Sequence, residues 1–279
     1  MRKRGQKRLE LQDGADSPLN HAISLRDRSV IDMVTDAVRH KHCMLAYQRV
    51  VKSQDPEQVV FFEGLIRVLD ATERVIPARE FMSAVEDREI GRELDCIALE
   101  KGLRALERVP DLRLSVNMSA RSIGYRRWSR ILHRFLARDA SIGERLLLEI
   151  SQTSAMSVPE LVMDFMIDLR RHGVAFALDD FGAGPISLPN LGEFFFDAAK
   201  IDGQFIRDVD TSPDKQTLVR TMIQIARQFD MMVIAEAVET RQEAEFLNTC
   251  GVDCLQGYLF EAPKLRPNWG HVAKQAESA

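Results

Sequence analysis

Long apolar runs are missing from this sequence of 279 residues. None approaches the length of a membrane span, and no apolar segment follows the basic start Met1-Arg2-Lys3-Arg4-Gly5-Gln6-Lys7-Arg8 as a secretion signal requires. The chain therefore reads as cytoplasmic. Cysteine is scarce: Cys43, Cys96, Cys250 and Cys254 are dispersed, and only the last two stand close, at C-x-x-x-C without a histidine nearby. Buried free thiols are expected in place of a disulfide or a zinc site. The six histidines are scattered too, with His40 and His42 the one near pair. Net charge is low, -4 with a pI near 5.9, and offers no case for a surface that binds polymeric nucleic acid. Neither an internal repeat nor a Pro/Gly/Ser-rich linker divides the chain.

What is present suits one large α/β domain, since a barrel of about 250 residues is a common single-domain solution. The expected division is a basic, solvated arm over 1–27, a barrel domain over 28–270 and a tail over 271–279. Val30, Ile31, Val34 and Val38 have helical spacing, so a helix over Arg28 to His40 precedes the first strand. Met44 to Val51 and Val59 to Val68 read as strands joined by the polar turn Ser53 to Glu57, an antiparallel hairpin. Two helical segments follow Pro77, the second over about Ile90 to Glu107 with Leu94, Ile97, Leu103 and Leu106 on one stripe. Then strands and helices alternate. Strands are expected at Leu112 to Asn117, Leu146 to Ile150, Val174 to Leu178, Ala198 to Ile201, Met231 to Ala235 and Asp253 to Leu259. With the hairpin these make eight, which predicts a TIM-type barrel with an antiparallel first strand.

The stretch Val174 to Gly184 is the most telling. An apolar run that fits a strand buried on both faces leads straight into Asp179 and Asp180 and a glycine-flanked turn. Adjacent aspartates at the edge of an apolar core call for a cation, although Asp-Asp-Phe-Gly also reads as a plain turn with a capping aspartate. The other strand ends decide between these. They carry Glu63, Asn117, Glu149, Lys200, Glu236 with Glu239, and Gln256, and in a barrel such ends converge on one mouth. Carboxylates and an amide without histidine or thiolate suit Mg²⁺ or Mn²⁺. So many carboxylates exceed the needs of one ion. Two ions about 4 Å apart could share Asp179 and act at phosphorus, with Lys200 orienting water or offsetting charge.

Glu63-Gly64-Leu65-Ile66-Arg67 resembles the E-A-L-x-R signature of EAL domains, the cyclic di-GMP phosphodiesterases. Asn117-Met118-Ser119, Glu149-Ile150-Ser151, Asp179 to Gly184, Lys200-Ile201-Asp202, Ala235 to Thr240 and Gln256-Gly257-Tyr258 resemble that family's other motifs, in its order. The resemblance spans about Val34 to Pro263. It implies a barrel that cleaves one phosphodiester of cyclic di-GMP to give linear pGpG. It also implies metal binding by Glu63, Asn117, Glu149, Asp179, Asp180 and Glu236, with Lys200 and Glu239 at the attacking water. Gln48, Arg67 and Gln256 would face the substrate. Dimerisation near the helix after the aspartate loop, and regulation by a protein partner, are further expectations of the resemblance.

Four positions depart from the family pattern: Gly64 for alanine, Arg49 for proline, Ala237 for glycine, and Gln152 for a glutamate that holds the loop after the two aspartates. The neutral amide is expected to order that loop less, by roughly 1 kcal/mol, so the enzyme would be weak and Gln152→Glu would raise turnover. A receptor that binds cyclic di-GMP without cleaving it is the alternative. A purely structural interaction domain would leave the carboxylates unexplained.

Overall fold

The computed structural model describes residues 18–185 and 187–269, with side chains from Arg26 onward. The basic start at Met1 to Arg8 and the tail expected at 271–279 lie outside the described residues. The first helix spans Pro18–Arg39 and begins ten residues before the expected Arg28. Pro18 suits its first position, where a missing N–H breaks no helical bond.

Nine strands follow among the described residues: β1 (Cys43–Lys52), β2 (Asp55–Leu69), β3 (Val75–Pro77), β4 (Leu114–Asn117), β5 (Leu146–Ser151), β6 (Ala175–Phe181), β7 (Ala198–Ile201), β8 (Met232–Ala235) and β9 (Cys254–Leu255). Eight close into a ring in the order β1, β2, β4, β5, β6, β7, β8, β9 and back to β1. All neighbours are parallel except β1, which runs antiparallel to both β2 and β9. This is the expected TIM-type barrel with an antiparallel first strand. The short β3 lies outside the ring, paired with Arg67 to Leu69 at the end of β2.

Three strand boundaries differ from the sequence expectation by three or more residues, one of them that of β6, which runs on past Leu178 through Asp179 and Asp180 to Phe181. The hairpin turn is only Ser53–Gln54, because Asp55, Pro56 and Glu57 already belong to β2. Pro56 is tolerated there since the strand start is exposed. The last strand stops at Leu255, not Leu259. Gly257 lies so close to the backbone of Val238 that a Cβ would stand 2.0 Å from its carbonyl oxygen, so the chain turns there to close the ring.

Side-chain alternation explains the interior. Val50, Phe61, Leu147, Ala177, Ala198, Ile234 and Cys254 pack together inside the ring, and Ser115 is the polar member of that level. Two positions away along the chain, and so on the same face, stand Gln48, Glu63, Glu149, Asp179, Lys200, Glu236, Gln256 and Asn117, with Glu236 and Gln256 one residue past the ends of β8 and β9. Every strand of the ring thus contributes one polar residue to a single level above an apolar floor. The larger apolar cluster lies between the ring and its helices. The helix Glu89–Arg108 buries Leu94, Leu99, Leu103 and Leu106 against the ring, while Ile97 from the expected stripe is only half-buried.

Three departures from the family pattern show in the local geometry. At Gly64 a Cβ would stand 3.3 Å from both Leu45 Cδ1 and Ser115 O, so glycine lets β1, β2 and β4 approach closely. Arg49 donates from its guanidinium to Phe260 O at 2.6 Å and ties β1 to the segment after β9. Ala237 adopts φ 53°, a left-handed conformation that favours glycine.

Candidate active site

Lys200 is the hub of the polar level. Its ammonium lies 2.6 Å from Glu149 Oε2, 2.6 Å from Glu236 Oε1, 3.3 Å from Glu63 Oε2 and 3.5 Å from Asp179 Oδ1. Burial opposes the charge on Lys200, but Asp179, Glu149, Glu236 and Glu63 outweigh it and hold the ammonium protonated well above the ordinary lysine range. Four carboxylates against one ammonium leave an excess of negative charge. Burial, then the charge of Glu63, pushes Glu149 well above the usual carboxylate range. Burial likewise lifts Glu236 to about 8, although Lys200 works against it.

Glu63 goes the other way. Burial would raise it, yet Lys200 and amide donors keep it below the ordinary value. Asn117 Nδ2 donates to Glu63 Oε1 at 2.8 Å, and Gln256 Nε2 donates to Glu63 Oε2 at 2.6 Å. Gln256 Nε2 also lies 3.2 Å from Gln48 Oε1, and Gln48 Nε2 donates to Glu261 O at 2.9 Å. Gln48 and Gln256, which the resemblance assigns to the substrate, are therefore also the props of Glu63.

Asp180 is exposed at the end of β6 with φ 54°. Partial burial, then the neighbouring Asp179, raises its carboxyl to about 6. Gln48, Glu63, Asn117, Asp179, Asp180, Glu236 and Gln256 line a cavity of about 690 Å³, whose wall also includes Leu65, Arg79, Met82, Arg207 and Tyr258, whereas Lys200 and Glu149 are not among its lining residues. Two sequence-expected residues stand apart from the cluster. Glu239 is exposed at the cavity rim with its carboxylate 3.7 Å from Arg207, not at Lys200. Arg67 is half-buried, and its guanidinium donates to Ile66 O at 2.9 Å while Leu65 and Ile66 line the cavity.

Gln152 corrects the expectation of a slack loop. It is fully buried, accepts from Gly182 N at 3.0 Å, and donates to Gly184 O at 2.7 Å and Pro185 O at 3.1 Å. The amide makes bonds that a carboxylate lacks the hydrogens to make.

Two supports were not foreseen. Asp95 is buried on the helix Glu89–Arg108 and accepts from Ser119 N at 3.0 Å and Ser122 Oγ at 2.6 Å, fixing the loop after Asn117. One acid on an apolar helix stripe gives no sequence signal. Glu243 accepts from the backbone N–H groups of Asp208, Glu239 and Thr240 at 2.8, 2.9 and 3.0 Å, and so holds the loop after Glu236. Its signal was legible as the capping box Thr240-x-x-Glu243.

The donor set fits a hard cation. Glu149 Oε1 and Asp179 Oδ1 are buried without a hydrogen-bond partner, which suits them to ligate such an ion. As the side chains stand, no group of three or more His, Cys, Asp or Glu among the described residues is posed to hold a metal, because the carboxylates gather on Lys200 instead.

A closed α/β barrel with an acidic level at the mouth of its strands defines the class: a TIM-type barrel with a polar site at the strand ends. The EAL domain family matches residues 31–263, and the chain belongs to that family. It is 30% identical over 210 residues to the cyclic di-GMP phosphodiesterase PdeR of Escherichia coli, covering 74% of this chain and 32% of that protein. The fold superposes on the PaMucR phosphodiesterase in complex with c-di-GMP with a TM-score of 0.77, at 24% identity over 85% of this chain and 97% of that one. It also superposes on the manganese and cyclic di-GMP complex of Klebsiella pneumoniae BlrP1 with a TM-score of 0.68, at 27% identity over 80% of this chain and 56% of that one. The chain spans about a third of the length of the curated relatives it matches. No helix among the described residues is long and apolar enough to cross a membrane.

Proposed function

We propose that this chain is a metal-dependent phosphodiesterase that hydrolyses cyclic di-GMP to linear pGpG. The observation that carries the reading is the convergence of Glu63, Glu149, Asp179 and Glu236 on Lys200, with two buried carboxylate oxygens lacking a hydrogen-bond partner. Glu63, Asn117, Glu149, Asp179, Asp180 and Glu236 would hold Mg²⁺ or Mn²⁺. Two such ions would supply Lewis acidity at the phosphate and water of lowered pKa. Lys200, fixed by its carboxylates, is suited to offset charge on the phosphate or to orient the water. Glu239 would act at the same water only if its side chain left Arg207. Gln48, Gln256 and Arg67 would meet the substrate, Arg67 by paired bonds to a phosphate. The cavity volume falls within the range of small-molecule sites.

A homodimer and a regulatory protein partner accompany this reading. Leu188, which opens the helix Leu188–Glu193 after the aspartate loop, is 48% exposed, and Phe195 just beyond it is 42% exposed, which gives a second copy an apolar face. A cytoplasmic setting agrees with the four free thiols. Incubation with cyclic di-GMP and either metal, followed by product separation, tests the proposal. Accumulation of pGpG supports it. Tight binding without cleavage in both metals would instead make the chain a receptor.

A further inference from the structure

We propose that the carboxamide of Gln152 is the clasp that sets the Asp179–Asp180 turn, and that this chain requires a side chain there that accepts one hydrogen bond and donates two. The inference rests on reading those aspartates as metal ligands. The Gln152 oxygen takes the N–H of Gly182, and its NH₂ spends both hydrogens on the carbonyls of Gly184 and Pro185. With the side chain 0% exposed, no water can stand in for any of the three.

The turn needs such a clasp. Asp180 is held at φ 54°, a conformation that a residue with a Cβ keeps only when its surroundings impose it. Asp179, one residue earlier, turns its buried Oδ1 toward Lys200 at 3.5 Å, an ion pair without a hydrogen bond. Gln152 grips the chain at the second, fourth and fifth residues after Asp180. The approach depends on Gly184, where a Cβ would stand 2.7 Å from Thr153 Oγ1 and 3.4 Å from Gln152 Nε2.

A glutamate at 152 would keep the bond from Gly182. Its second oxygen, standing where the amide nitrogen now is, would face the two carbonyl oxygens that Nε2 meets at 2.7 and 3.1 Å. Pro185 has no N–H to turn toward a carboxylate. Gln152 and the Gly184-Pro185 segment thus match in hydrogen-bond polarity, and the substitution that restores the family's glutamate breaks the match. Gln152 is a positioning residue: it acts on the metal through the two aspartates.

The test is Mn²⁺ affinity, measured without substrate by calorimetry on the parent, Gln152→Glu and Gln152→Met, together with amide hydrogen exchange over Phe181 to Gly184 and thermal unfolding in chelator. Loss of a support behind metal ligands predicts about 10–100-fold weaker Mn²⁺ binding in both variants, with faster exchange in the loop. Parental affinity and exchange in Gln152→Glu would overturn the proposal. So would a lower unfolding temperature with unchanged Mn²⁺ affinity, which is the mark of a merely structural residue. Should Gln152→Glu fail to fold, Gln152→Met decides alone by the same comparison. All three readouts are free of substrate, so a parent that binds Mn²⁺ but leaves cyclic di-GMP intact sinks the proposed function and not the clasp.

Discussion

Lys200 Nζ lies 2.6 Å from Glu149 Oε2, and neither side chain reaches solvent, at 1% and 0% exposure. Removing one partner of such a pair leaves the other charge buried and uncompensated, which costs about 3–5 kcal/mol. Lys200→Met should therefore lower stability by that order in urea titrations run with chelator. Added Mg²⁺ or Mn²⁺ should recover part of the loss, because the freed carboxylates then have a cation. Equal unfolding midpoints for parent and variant in chelator would show that the ammonium is not the hub described above.

Asp179→Asn tests the metal reading from the opposite side. The substitution removes one negative charge from a cluster that has too many, so stability in chelator should hold or rise. Hydrolysis should fall by at least about a hundredfold, close to 3 kcal/mol of barrier, if Asp179 bridges two ions. Product analysis in excess Mg²⁺ and a thermal melt in chelator check the two halves separately.

Arg67→Ala should separate substrate binding from metal binding. A guanidinium that meets a phosphate contributes roughly 1.5–3 kcal/mol, or about 10–100-fold in affinity. Calorimetry with cyclic di-GMP in Ca²⁺, against a Mn²⁺ titration of the same protein, should show a loss in the first alone. Unchanged nucleotide affinity would leave Arg67 with only its bond to the Ile66 carbonyl.

A pH signature belongs to Asp95. Burial lifts its carboxyl to about 6, against the hydrogen bonds from Ser122 and Ser119 that pull it down. An unfolded aspartate sits near 3.9. Between these values the folded chain keeps a proton that the unfolded chain has released, so this contribution is full below about pH 4 and is lost as pH rises through about 6. Asp95→Asn lacks the titration but can still accept from Ser119 and Ser122. The stability of the parent relative to Asp95→Asn should fall by an amount on the order of 2–3 kcal/mol between about pH 4 and 7. A flat difference across denaturant titrations in that range would remove the argument.

Glu243→Ala should unseat the loop after Glu236. Three backbone N–H groups lose their acceptor, and the capping box of the helix Arg241–Thr249 goes with them. A cost of about 2–3 kcal/mol is expected by urea unfolding, and metal activation should need higher Mg²⁺. If activation were unchanged despite the lost stability, Glu236 would be held by Lys200 alone.

Local periodicity determined much of this protein. Runs such as Val174 to Leu178 and Leu146 to Ile150 announced buried strands, their charged ends announced one mouth, and the eightfold count announced a closed ring. Alternation even placed Glu63 and Arg67 on one face. It did not tell which inward side chains meet. That depends on how the ring closes and how each strand is staggered against the next, which brings Glu63, Glu149, Asp179 and Glu236 to Lys200 from four other strands and leaves Glu239, only three residues past Glu236, at the rim with Arg207. Asp95 was silent for the same reason, since its partners lie 24 and 27 residues away. Gln152 makes the point most sharply. Its identity was plain in the sequence and suggested a weakened contact, whereas the direction of its hydrogen bonds depends on whether the loop opposite presents N–H groups or carbonyls, and only the folded backbone decides that.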